Sequence, residues 1–477
     1  MSGSPPVVTR HLFDGGFALM LLALAVLGGY AILAPAVLLA AADARPDRIV
    51  IASLPPTPPG AVRPAADAEP PKELATITGV VVDAERRPIA GASIVVGGVE
   101  HESDAEGAFR VESVPLGAPI LVKMPGYTKA AVTATRGPLR VTLRPQVIKA
   151  AYLSYYGVGD AAIRGRVLEL AAHTELNAVV IDVKGDRGWI LWPTEIELAR
   201  AVGAQGPATQ RDFDALMRNL KARGIYTIAR IVTFKDNILA THRPDLAVMD
   251  TDTGRPWLDT ERLAWTDPFR EEVWDYNIAI GREAVARGFD EVQFDYVRFP
   301  TDGRLSAARY ARANTRESRL PAIAGFLERA RRELGAAGAF VAADVFGYTA
   351  FNDNDTDIGQ RIEELAPHVD VFSPMVYPSG YHRGIPGYRN PVENPYKVVF
   401  ESVRLIRKRA TGTRAVVRPW LQDFRDYAFD RRVFGVSQLR AQTKGADDAG
   451  GSGWMLWNPR NDYTGAALQP KGSLVAK

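Results

Sequence analysis

The sequence contains no cysteine, which excludes disulfides, thiolate metal sites and cysteine nucleophiles together. Its absence fits an exported chain that avoids oxidative mispairing. Histidine is scarce: His11, His101, His173, His242, His368 and His382 stand far apart with no ligand spacing. A histidine-built metal site is therefore not expected, and neither is any cofactor. Lysine and arginine number 58 against 55 acids, a net charge of +3, and no basic run is interleaved with aromatics. Nucleic acid is not expected as a partner. A glycine-rich dinucleotide fingerprint is also missing, which counts against an open doubly wound sheet.

What is present begins with 28 uncharged positions at residues 15–42, preceded by Arg10 and followed by Asp43, Arg45, Asp47 and Arg48. A bilayer span needs about 20 apolar residues, whereas a cleavable signal core has about 7 to 15. Residues 1–45 thus read as an uncleaved transmembrane anchor with the large domains outside, although the small residues at 40–44 also suit a signal peptidase. The expected location is anchored in the inner membrane facing the periplasm, or secreted if the segment is cleaved. Residues 46–73 are rich in proline and alanine, a composition that stays extended and forms a linker.

Residues 74–145 show short strand patterns at 77–83, 92–96, 107–112, 120–124 and 139–143, separated by turns such as Gly97-Gly98 and Pro125-Gly126. This spacing predicts a small β-sandwich. From 146 to 477 the chain alternates strands with helices. Eight strands are expected at 147–155, 178–183, 226–232, 291–299, 340–345, 369–377, 415–421 and 453–457. Helices are expected at 163–173, 213–223, 268–287, 319–334, 357–365, 395–409 and 436–449. Regular β-then-α order at this length predicts an α/β fold, a closed (β/α)8 TIM barrel, since such barrels take about 250 residues plus insertions.

In a parallel barrel the carboxyl ends of the strands carry the chemistry. Those ends supply Tyr155 and Tyr156, Asp182 and Lys184, Arg230, Asp295 and Arg298, Asp344, Tyr377, Trp420 and Gln422, Trp457 and Asn458. Asp295, in Glu291-Val-Gln-Phe-Asp-Tyr-Val-Arg-Phe-Pro300, stands on the fourth strand, and Asp344 stands on the fifth. Neighbouring strands are about 4.8 Å apart. Two carboxyls so placed approach the separation of about 5 Å used in retaining glycoside hydrolysis, where one attacks the anomeric carbon and the other gives up its proton. Asp295 and Asp344 are the catalytic candidates. Asp182, Lys184, Arg230, Arg298, Tyr377, Trp420, Gln422, Trp457 and Asn458 are the substrate-binding candidates.

Each has a plainer reading beside it. Arg230 and Arg298 either sustain an ionised nucleophile or merely pair with acids as structure, and Asp182 faces a choice between sugar hydroxyls and Lys184. Trp189, Trp192, Trp257, Trp265, Trp420 and Trp457 could stack on sugar rings, but about half of them should be packing residues.

Two resemblances add to this reading. Gly79-Val-Val-Val-Asp83, Pro88-Ile-Ala-Gly-Ala92, Asp104-Ala-Glu-Gly-Ala-Phe109 and Pro125-Gly-Tyr127 resemble the carboxypeptidase regulatory-like family, which implies an accessory sandwich without catalytic residues. The second is carried by Asp182-Val-Lys184, Arg243-Pro-Asp-Leu-Ala-Val248, Trp265-Thr-Asp-Pro268, Gly288-Phe-Asp-Glu-Val-Gln-Phe-Asp-Tyr-Val-Arg-Phe-Pro300, Pro374-Met-Val-Tyr-Pro378, Arg418-Pro-Trp-Leu-Gln422 and Gly453-Trp-Met-Leu-Trp-Asn458. These resemble the bacterial putative glycoside hydrolase family of barrel domains, itself similar to α-amylase and α-galactosidase type barrels. The likeness implies Asp295 as nucleophile and Asp344 as acid, with Asp423 in reserve because the amylase type usually carries glutamate at the fifth strand. The expectation is a hydrolase acting on an envelope polysaccharide. The alternatives are a non-catalytic polysaccharide-binding protein and, disfavoured by the lack of histidine ligands, a metal-dependent sugar deacetylase.

Overall fold

The computed structural model describes residues 73–207 and 209–472, so the expected anchor and nearly all of the linker lie outside the described residues. Among the described residues no helix is long and apolar enough to cross a membrane.

The first described unit holds seven strands: β1 Leu74–Val82, β2 Ser93–Val96, β3 Val99–Glu102, β4 Ala108–Pro115, β5 Pro119–Lys123, β6 Ala130–Thr133 and β7 Leu139–Thr142. They form a three-stranded sheet in the order β4-β1-β7 and a four-stranded sheet in the order β3-β2-β5-β6. Inward-facing residues of both, including Ile77, Val81, Ile94, Phe109, Val111, Ile120, Val122 and Val141, make one buried cluster. β3 and β6 were not anticipated. Both carry exposed residues and lie at the edges of their sheet, where little hydrophobic alternation is needed.

The second unit is a closed ring of parallel strands: β8 Ile148–Leu153, β9 Ala178–Lys184, β10 Tyr226–Val232, β11 Glu291–Asp295, β12 Phe340–Phe346, β13 Val371–Met375, the split seventh strand β14 Val416–Val417 and β15 Trp420–Gln422, and β16 Gly453–Trp457. β16 pairs with β8 and β12 with β13, closing eight positions into the expected TIM barrel. β9 and β10 are buried at every residue, as strands covered on both faces must be. Gly453 sits where the ring closes with φ +90°, and a Cβ there would fall 1.9 Å from the Ile148 carbonyl oxygen. Only glycine fits. Pro419 interrupts the seventh strand because it has no N–H for the ladder.

Outward-facing residues of the strands, such as Val179, Ile181, Ala229 and Ile231, pack under the surrounding helices, while Ala150, Ala178, Val180, Ile228 and Met455 fill the interior. The helix Ala161–His173 starts at Asp160 and the helix Phe213–Ala222 at Asp212, each carboxylate accepting first-turn N–H groups. The helix expected at 357–365 shrinks to Ile362–Leu365. Thr356 and Asp357 adopt left-handed φ of 56° and 58°, and Asp355 is drawn into an ion pair with Arg319 at 2.7 Å.

The small unit covers the amino-terminal end of the barrel. Lys123 Nζ donates to the Ala339 carbonyl at 2.7 Å, Lys129 Nζ to those of Asp290 and Gly338 at 2.7 and 2.8 Å, and Arg331 pairs with Glu100 at 2.6 Å.

Candidate active site

Three inward positions of β11 stack polar layers up the barrel axis, because alternate residues of a strand share a face. At the bottom Glu291 accepts from Arg418 Nη1 at 2.9 and 3.0 Å and from the Tyr226 hydroxyl at 3.0 Å. In the middle Gln293 donates to Ser373 Oγ at 2.9 Å. At the top stands Asp295. The strand ends there, short of the expected 299, because Tyr296 turns left-handed at φ 49° and its N–H donates to Asp295 Oδ1 at 2.6 Å. The turn fixes the Asp295 carboxyl at the mouth of the barrel.

Arg230 organises the charges around it. Its Nη1 contacts Asp182 Oδ1 at 2.5 Å, and its Nε donates to Asp295 Oδ2 at 3.1 Å while Nη2 donates to the same oxygen. Burial alone would lower the Arg230 pKa, yet Asp182 and Asp295 outweigh it and carry the pKa well above the usual range. Burial raises that of Asp182, with Arg230 and the Tyr152 hydroxyl, which donates to Oδ2, acting against it.

Asp344, 1 % exposed, differs from both. Its Oδ1 accepts from Trp420 Nε1 at 2.9 Å, whereas Oδ2 has no hydrogen-bond partner. Burial, reinforced by the charge of Asp295, pushes its pKa well above the carboxylate range, which favours the protonated form. Arg230 Nε lies 3.1 Å from Asp295 Oδ2 and 3.9 Å from Asp344 Oδ2; those legs added place the two oxygens no more than about 7 Å apart.

Above these groups opens a cavity. Of the expected site residues, Arg230, Asp295, Arg298, Tyr377, Trp420 and Trp457 border it. Asp182 and Asp344 lie behind the wall, joined to it through Arg230 and Trp420. Arg298 does not pair with Asp295: its Nη1 donates to the Phe299 carbonyl at 3.0 Å and to Thr301 Oγ1 at 3.3 Å.

Four candidates are corrected. Lys184 is fully buried and paired with Asp236 at 2.6 Å, so it is neither at the cavity nor the partner of Asp182. Gln422 clamps Ser379, donating to its Oγ at 2.7 Å and accepting from its N–H at 3.0 Å. Asn458 Nδ2 donates to the carbonyls of Asp423 and Asp462 at 2.5 and 2.6 Å. Asp423 is held by Thr464 at 2.6 and 2.8 Å away from the cavity wall, its pKa raised by burial. Of the six tryptophans, Trp420 and Trp457 line the cavity. Trp192, Trp257 and Trp265 are buried with their N–H groups bonded to Glu283, the Arg304 carbonyl and Asp259, and Trp189 packs on Tyr155.

Sequence reasoning missed Tyr152, whose ring stacks on Trp457 at 4.1 Å, Phe346 at the end of β12, and the loop aromatics Tyr296, Tyr348, Tyr381, Phe424 and Tyr427 on the cavity wall. Tyr152 was legible by parity, since alternation from Ala150 turns it inward while Tyr155 caps its hydroxyl on the Pro207 carbonyl. The loop residues follow no period. Gly347 gives Tyr381 its place, as a Cβ there would come 2.1 Å from the phenol oxygen.

A cavity walled by aromatic faces, with a carboxylate on it and a buried carboxyl whose surroundings favour a proton beneath, can stack a sugar and act on its anomeric carbon. A family model described as "Putative glycosyl hydrolase domain" matches residues 150–463. No curated protein matches the chain. Among solved structures, a hypothetical protein from Ruminiclostridium thermocellum is 35% identical, with 41% of this chain and 97% of that one covered and a TM-score of 0.37. The glycoside hydrolase domain of PgaB from Bordetella bronchiseptica is 13% identical over 66% of this chain and 95% of that one, TM-score 0.49. The α-galactosidase of Thermus thermophilus is 18% identical over 76% and 72%, TM-score 0.41.

Proposed function

The chain belongs to the family of putative glycosyl hydrolase domains, and from that premise we propose that it cleaves an envelope or extracellular polysaccharide with Asp295 as nucleophile and Asp344 as acid. The observation that carries this reading is a carboxylate fixed on the cavity wall near a buried carboxyl whose Oδ2 has no hydrogen-bond partner among the described residues. Arg230 holds one Asp295 oxygen and the Tyr296 N–H the other, so the carboxylate is oriented before substrate arrives. Attack on the anomeric carbon forms a bond from Asp295, the glycosidic C–O bond breaks, and the Asp344 proton passes to the leaving oxygen. Asp344, now ionised, then takes a proton from the water that releases the sugar. The bound on their separation includes the spacing of about 5 Å that retention requires.

One observation favours a second reading, a non-catalytic polysaccharide-binding barrel. The aromatic residues border the cavity, but Asp344 does not. Reducing-sugar release from a panel of bacterial envelope polysaccharides and exopolysaccharides separates the two. Cleavage that disappears in both Asp295→Asn and Asp344→Asn, with binding retained, supports the two-carboxylate hydrolase. Tight binding without cleavage of any polymer transfers the assignment to binding.

The two small sheets around one core support a carboxypeptidase regulatory-like sandwich serving as an accessory unit. The uncharged run at 15–42 supports attachment to the inner membrane with the barrel in the periplasm, or secretion after cleavage.

A further inference from the structure

We propose that Arg298 is a subsite for a carboxylate-bearing sugar, so that the polysaccharide accepted by this cavity carries uronic acid; the inference rests on the glycan-cleaving reading above. Four arginines of the described chain are buried: Arg230, Arg298, Arg319 and Arg418. Three have carboxylate partners, Arg230 in Asp182 and Asp295, Arg319 in Asp355, and Arg418 in Glu291. Arg298, 3 % exposed, has none among the described residues.

Its guanidinium lies over the rings of Phe346, Tyr296 and Trp265, with centroids 4.6, 4.8 and 5.0 Å away. Nη1 is spent on Phe299 and Thr301, which leaves Nε and Nη2 without partners at the cavity wall. That pair of N–H groups is the edge a carboxylate takes with two parallel hydrogen bonds. Charge points the same way. The charged residues lining the cavity are Arg230, Asp295 and Arg298; Arg230 is bonded to both Asp182 and Asp295, whereas no acid among the described residues bonds Arg298. A buried guanidinium with no carboxylate bonded to it is costly, and an anion on the ligand reduces that cost. Burial lowers the Arg298 pKa, opposed by the longer-range charges of Tyr296, Asp302, Asp295 and Asp259, none of which bonds it directly.

The test is equilibrium binding to the full chain carrying Asp295→Asn, using galacturonate, mannuronate and glucuronate oligosaccharides, each beside its carboxyl-reduced neutral counterpart. At least one acid form should bind about tenfold more tightly than its neutral twin, the order expected for a charge-assisted bidentate contact. Adding Arg298→Gln should bring the two forms together, and Arg298→Lys should keep part of the preference. No preference for the acid form of any pair, absent binding included, overturns the proposal without reference to any Arg298 variant. So does a preference that survives Arg298→Gln. The outcomes separate from those of the hydrolase reading. A uronide held through Arg298 but never cleaved by the parent chain sinks hydrolysis alone. A neutral glycan cleaved equally well with and without Arg298 sinks the carboxylate subsite alone.

Discussion

Asp344 and Asp370 are both fully buried aspartates of one barrel, yet their surroundings push them in opposite directions. Asp370 precedes β13 at the amino-terminal end. Burial would raise its pKa, but Arg414, Arg331 and Lys123 outweigh it and hold it below the usual range. Its oxygens accept from Arg331 Nε at 3.1 Å and from the Val341 N–H at 2.9 Å. Asp344, toward the carboxyl end of β12, meets one shared cation at 3.9 Å, a neighbouring acid and an indole N–H, and its pKa goes well above the usual range. Depth is equal; the number of cations in reach decides the charge. At the covered end the surroundings of an aspartate favour its charged form, and at the open end they favour the neutral form of the same residue type.

The sharpest way to break this comparison is to exchange charge for amide at each end of β11. Asp295→Asn at the open end should lower kcat by about 10³-fold or more, the loss typical of a removed nucleophile, with the unfolding midpoint little changed. Glu291→Gln at the covered end should leave kcat within a few-fold but strand Arg418 without its charge partner, costing about 3 kcal/mol of stability in denaturant unfolding. Equal effects of both on kcat would erase the distinction between the ends.

The buried pair sharpens it through pH. The folded pKa of Asp370 is depressed, so its contribution to stability is present above its unfolded pKa of about 3.9 and is lost as pH falls through the folded value. Asp370→Asn should therefore cost about 3 kcal/mol at neutral pH and much less in acid. Asp344 has the opposite sign. Its folded pKa is raised, so stability falls as pH climbs from about 3.9 toward that value, and Asp344→Asn should remove this fall. Thermal unfolding of Asp370→Asn below about pH 4 and of Asp344→Asn from about pH 4 to about pH 8 reads each slope in its own window. An Asp344→Asn variant less stable than the parent at neutral pH would show that the acid is charged and structural after all.

Which of this the sequence makes legible follows from the kind of pattern involved. All eight strand positions of the barrel show in runs of buried apolar residues, and β10 and β16 fall where the pattern places them. Asp295, Arg230, Trp420 and Trp457 reach the site because parity and strand direction suffice to aim them there. Lys184 shows where that rule stops. The register shifts between Arg230 and Ile231, where Lys184 follows Asp182 in the pairing, and Lys184 finds Asp236 in the next loop. Gln422 and Asn458 likewise serve loop carbonyls and hydroxyls that no periodicity encodes. Tyr348, Tyr381, Phe424 and Tyr427 arrive from loops after the strands, whose paths depend on tertiary contacts such as the Gly347 approach.

Tyr152 offers the smallest and most selective perturbation. Its ring is sandwiched into the wall, stacked on Trp457 at 4.1 Å and edge-on to Trp420 at 6.4 Å, so Tyr152→Phe keeps the packing and removes one hydrogen bond to Asp182. Loss of that bond should cost about 1 kcal/mol of stability, the net worth of a typical buried hydrogen bond. The bond favours ionised Asp182 against the burial that raises its pKa, so removing it raises that pKa further. If ionised Asp182 is what keeps Arg230 oriented on Asp295, the acid limb of the kcat profile moves to higher pH while kcat on the plateau falls less than about tenfold, since nothing on the cavity wall has moved. An unshifted limb with lowered stability would leave Tyr152 as packing and place the orienting role with the Tyr296 N–H alone.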